Sequence, residues 1–157
     1  MKHAVIFPLV LFLVGASADV AFSITDEERA KQLEREQQRF EKTNDPVGRA
    51  KIGIKISDLL LDDVAQCVKD GKYDQMEQQL VAYHDTIEAT HETLIESGRN
   101  AQKKSGGFKE LEIALRKHAR KFEDFARVLN IQRRIPLEKA RDFANTVREK
   151  LLKSLFP

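Results

Sequence analysis

Apolar residues recur at steps of three and four along most of this chain, and that spacing fixes its fold class. Tyr73, Met76, Leu80, Tyr83, Ile87, Thr90 and Leu94 follow it. So do Phe108, Leu111, Leu115, His118, Phe122, Phe125 and Leu129, and again Leu137, Ala140, Ala144, Val147 and Leu151. Ile52, Ile56, Leu59, Leu60, Val64 and Cys67 form a broader set upstream. Alternating three- and four-residue steps track the 3.6-residue helical turn, so each set lines one side of a helix. Alternating Val, Ile and Thr runs bounded by turns are missing, so no sheet is expected.

Helix punctuation divides the stripes into rods. Asp45 stands where an N-cap belongs and Pro46 at the first helical position, which predicts a helix from Pro46 to about Asp70, ended by Gly71. The next should run from Tyr73 to about Glu96 and close at "SGRNAQKKSGG". A third is expected from Phe108 to Leu129, broken by "NIQRRIP", and a fourth from Pro136 to about Leu155. Four rods with narrow apolar stripes and mostly short links bury those stripes as an antiparallel up-down-up-down four-helix bundle. The predicted class is therefore all-α, with the bundle over residues 46–157.

Residues 19–45 are expected to form an additional charged N-terminal helical arm. Its apolar positions are only Ile24, Ala30, Leu33 and Phe40, too thin a stripe for a full core member. Deleting it is therefore expected to change stability little. The helix-turn-helix around "KDGKYDQ" is similar to one turn of a tetratricopeptide repeat, but no second unit appears about 34 residues away.

The first 18 residues have a different character. Lys2 precedes an uncharged apolar run from Ala4 to Gly15, and Ala16-Ser17-Ala18 supplies the small residues of a cleavage site. That is the layout of a secretory signal peptide over residues 1–18, with the mature chain starting near Asp19. The run is shorter than the roughly 20 apolar residues that a bilayer requires. The expected location is exported, periplasmic or extracellular, and the chain is not expected to be an integral membrane protein after cleavage. Cys67 is the single cysteine, so no intrachain disulfide can form, and a buried thiol is expected.

Chemistry-bearing patterns are few. The stretch "YHDTIEATHETL" sets His84, Glu88 and His91 within about 60° of arc on one helix face. Imidazole and carboxylate suit zinc, copper or iron. "EATH" resembles the Glu-x-x-His element of ferritin-like di-iron bundles, but those use two such elements and further inward Glu residues, and only one is found here. His84 and His91 are read as rim residues flanking the core, and His118 as a hydrogen-bonded core histidine. A metal-binding bundle using His84, Glu88 and His91, perhaps joined by His118, is the alternative. Asp63 is expected near the apolar face with a basic partner, and Asp62 in solvent. Haem-attachment, phosphate-loop and nucleophile-elbow motifs are missing. No cofactor and no enzymatic activity are expected.

Charge is distributed unevenly. From Asp19 to Gly98 the chain holds 10 Lys/Arg against 18 Asp/Glu, and from Arg99 to Pro157 it holds 16 against 7. "RKHARK" concentrates Arg116, Lys117, Arg120 and Lys121. Two uses follow: attraction between acidic and basic helices, or a surface for a protein or an anionic cell-envelope component. Nucleic acid is not an expected partner, because no aromatic residues interleave with the cations. The functional expectation is an exported, non-catalytic helical protein acting by binding, in an adaptor, chaperone-like or structural role.

Overall fold

A computed structural model describes residues 25–156. The signal-peptide reading, and the arm's first residues 19–24, lie outside them. The described residues form five helices and no strand: α1 (Asp26–Lys42), α2 (Pro46–Asp70), α3 (Tyr73–Glu96), α4 (Phe108–Val128) and α5 (Ile131–Leu155). None is long and apolar enough to cross a membrane.

Local chemistry accounts for most boundaries. Thr25 opens α1: its Oγ1 accepts from the Glu28 N–H while the Glu28 carboxylate accepts from the Thr25 N–H. Asp45 Oδ2 accepts from the Gly48 N–H at 2.6 Å, and Pro46 follows at the first helical position. Gly71 ends α2 at φ 70°, a left-handed conformation that a side chain would oppose.

One boundary differs from expectation. The last helix begins at Ile131 rather than Pro136. Asn130 caps it, its Oδ1 accepting from the Arg133 N–H at 3.0 Å. Pro136 therefore sits inside α5, where it lacks the N–H that would reach the Gln132 carbonyl. Being barely more than a turn from the start, it interrupts little of the ladder.

The stripes are buried as their spacing requires. Met76, Leu80, Tyr83, Ile87, Thr90 and Leu94 of α3 are all buried, as are Leu137, Ala140, Ala144, Val147 and Leu151 of α5. In α4 the buried set includes Phe108, Leu111, Leu115, His118 and Phe122, while Phe125 is only half-buried. Cys67 lies in this core, and burial pushes its thiol pKa up, aided by the Asp63 carboxylate.

The helices pack as two hairpins whose neighbours across the assembly run parallel. The α2–α3 and α4–α5 hairpins pack against each other through α2 with α4 and through α3 with α5. Asp58 pairs with His118 and Asp62 with Lys121, so positions advance together and α2 runs parallel to α4. Tyr73 meets Arg133 and His84 meets Phe143, so α3 runs parallel to α5. Residues 97–107 are long enough to carry the chain across the end of the assembly and make this order possible.

The arm lies along α2, antiparallel to it. Arg29 meets Asp63 and Glu36 meets Lys55. Phe40 approaches Gly53, and the Arg49 guanidinium stacks over the Phe40 ring at 4.5 Å. Leu33 and Phe40 pack against the core, and Glu36 is buried.

Candidate functional site

His118 is drawn into the core by its place in the α4 stripe and is fully buried. Both ring nitrogens are occupied. The Tyr83 hydroxyl from α3 lies 2.9 Å from Nδ1, and Asp58 Oδ1 from α2 lies 3.0 Å from Nε2. With the Tyr83 hydroxyl donating to Nδ1 and Nε2–H donating to Asp58, each of the three polar groups has a partner. Tyr83 also meets the His118 and Phe122 rings edge-on. Burial pushes the Tyr83 phenol well above its ordinary range, with the Asp58 charge adding to the effect. At Asp58, partial burial raises the carboxyl pKa. The His118 hydrogen bond and the nearby charges of His118, Lys121 and Lys117 outweigh it, and the net shift is downward. The chain Tyr83–His118–Asp58 thus ties three helices together across the core.

The grouping of His84, Glu88 and His91 is rearranged relative to its sequence reading. His84 sits at the rim with its ring tilted on the Phe143 ring, centroids 3.8 Å apart. Its Nδ1 lies 3.2 Å from Asp85 Oδ1. Among the described residues, the grouping with metal-ligand spacing is His84, Asp85 and Glu88, whose donor atoms all lie within 4.8 Å of one another. His91 is not in it: its ring is half-buried, its Nε2 has no hydrogen-bond partner, and burial lowers its pKa, helped by Lys150. His118 is not in it either, being engaged by Tyr83 and Asp58. Sequence spacing therefore brought His84 and Glu88 together correctly but missed Asp85. An (i, i+1) pair diverges on a helical wheel, yet a short side chain can still turn toward its neighbour.

The basic run on α4 splits into two roles. Lys121 is half-buried and pairs with Asp62 at 3.0 Å, and His118 pairs with Asp58. Arg116, Lys117 and Arg120 are exposed, and none makes an ion pair among the described residues. The α2–α4 seam thus uses part of the charge asymmetry internally. Asp63 faces Arg29 at 3.1 Å, the basic partner expected for it, while Asp62 is exposed but bonded to Lys121. Partial burial, with the Asp26 and Asp62 charges, raises the Asp63 pKa against the lowering pull of Arg29.

No family model, curated protein or solved structure matches this chain. Its chemistry therefore has to be read from its own surfaces. Two shallow grooves flank the elements just described. One, about 310 Å³, lies where α4 begins and α5 ends, and Lys109, Ile113, Arg116 and Phe156 line it. The other, about 330 Å³, lies between α3 and α5 and includes Glu77, Val81, His84 and Lys139. The first places Arg116 beside apolar surface, so the basic face of α4 continues into a partly apolar recess.

Proposed function

We propose that this is an exported, non-catalytic helical protein that acts by binding an anionic partner, a protein or a cell-envelope component, through the outer face of α4. The observation that carries this reading is the state of Arg116, Lys117 and Arg120: three exposed cations within five residues, none neutralised by an ion pair among the described residues. Cations held this way on a rigid helix give an attractive field to an approaching polyanion. The adjoining groove supports the reading, since Arg116 lines it together with Ile113 and Phe156. In this reading α2–α5 act as a four-helix bundle that fixes the direction of the α4 face, and the apolar leader over residues 1–18 delivers the chain outside the cytoplasm.

Co-sedimentation with vesicles rich in anionic phospholipid, and retention on immobilised envelope extract, test the binding. The chain should be retained at low salt and released as ionic strength rises. A variant carrying Arg116→Gln, Lys117→Gln and Arg120→Gln should lose retention, while Lys121 is left in place because it holds Asp62. Equal retention of the variant would remove the α4 face from the reading. The intact mass of exported protein checks the leader, and a species starting near Asp19 is expected.

A further inference from the structure

We propose that His84, Asp85 and Glu88 on α3 form a surface site for a divalent transition ion, zinc being the natural occupant. The donor set is one imidazole nitrogen and two carboxylates, a combination that suits borderline divalent ions. The spacing is right for a shared ion. Zinc holds nitrogen at about 2.0–2.1 Å and carboxylate oxygen at about 2.0–2.2 Å, which leaves the donors of one ion roughly 3–4 Å apart. His84 Nδ1 and Asp85 Oδ1 already stand 3.2 Å apart, and the three donors lie within 4.8 Å of each other. Glu88 is exposed and flexible enough to close the remaining gap.

A second observation separates this cluster from an ordinary exposed acidic patch. The Phe143 ring from α5 stacks on His84, which restrains the imidazole while its Nδ1 stands beside Asp85. All three side chains stand on α3, whose core-facing residues Leu80, Tyr83 and Ile87 are buried. Two carboxylates balance the ion's double charge. Lys139, which lines the adjoining groove with His84, opposes a cation, while Glu77 in the same groove offsets it. With three protein ligands and an exposed outer side, solvent completes the coordination and the ion exchanges freely.

The test is calorimetric titration of the exported chain, starting near Asp19, with zinc chloride. One ion per chain is expected. His84→Gln, Asp85→Asn and Glu88→Gln should each weaken binding at least about tenfold, a loss of ~1.4 kcal/mol. His91→Gln should bind as the parent does. All four positions are half-buried or exposed, so helical content by circular dichroism should be unchanged. In parallel, the His84 ring signals should move on zinc addition in nitrogen-resolved NMR, while those of His118 stay in place. Equal binding by parent and His84→Gln would overturn the site. So would a loss in His91→Gln as large as in His84→Gln, or indifference to both carboxylate changes, which would leave a single-imidazole contact.

Discussion

Glu36 of α1 is buried, yet its carboxylate lies 2.6 Å from the Lys55 ammonium of α2 and 2.8 Å from the Arg39 guanidinium. A thin apolar stripe would leave the arm loosely attached, and this pairing is what overrides that expectation. A buried carboxylate holds its position only while its partners remain. The hydrogen bond from Lys55 lowers the Glu36 pKa, against burial, and the Lys55 and Arg39 charges add to the lowering.

Removing the arm over residues 26–43 should therefore lower the melting temperature by at least about 5 °C, read by differential scanning calorimetry. Lys55→Met should cost about 1–3 kcal/mol, because the buried Glu36 carboxylate keeps only Arg39 as a charged partner. The Glu36 contribution has a definite sign with pH. Its folded pKa is lowered, so the stabilisation is complete above the unfolded range near about 4.3 and fades as pH falls below it. In Glu36→Gln that part of the acid-limb slope should disappear. An arm deletion that melts with the parent would show that α1 contributes nothing to the fold.

Gly53 of α2 lies against both Thr90 of α3 and Phe40 of the arm. A methyl group there would run into the Thr90 hydroxyl and stand 3.1 Å from Thr90 Cβ and 3.0 Å from the Phe40 ring. Gly53→Ala should therefore destabilise by about 1–3 kcal/mol through overpacking, although alanine is the better helix former. Thr90→Ala removes the hydroxyl in the way, so the double variant should recover part of the loss. Urea denaturation of both singles and the pair gives the coupling energy directly. Strict additivity would contradict the close approach.

Tyr83 and His118 make a third, separate test. Tyr83→Phe keeps the ring packing but leaves His118 Nδ1 buried without its partner, which should cost about 1–3 kcal/mol. The phenol itself reports on the fold. Its pKa is raised in the folded state, so stability is full below the ordinary tyrosine range near about 10 and is lost as pH climbs past it. Spectrophotometric titration should show one of the two tyrosines resisting ionisation until the chain unfolds. Ionisation of both below the unfolding transition would place Tyr83 in water.

The helices and their inward faces were legible in the sequence because both are local properties. Spacing at three and four decides which side chains share a face, and Thr25, Asp45 and Gly71 mark ends through bonds within a turn or two. Asn130 is an equally local signal: its side chain caps α5 ahead of Pro136, the residue that would otherwise read as the helix start. The order of helices was not local. Parallel α2–α4 neighbours are tied by His118 with Asp58 and Lys121 with Asp62, and parallel α3–α5 neighbours by Arg133 on Tyr73 and Phe143 on His84, all contacts between residues far apart in sequence. The same holds for the sites. Sequence put His84 and Glu88 on one face, but Phe143 restraining the imidazole, Asp58 and Tyr83 engaging His118, and Asp62 engaging Lys121 all come from other helices. Periodicity determined which residues leave water. Three-dimensional packing decided which polar groups remain to meet something else.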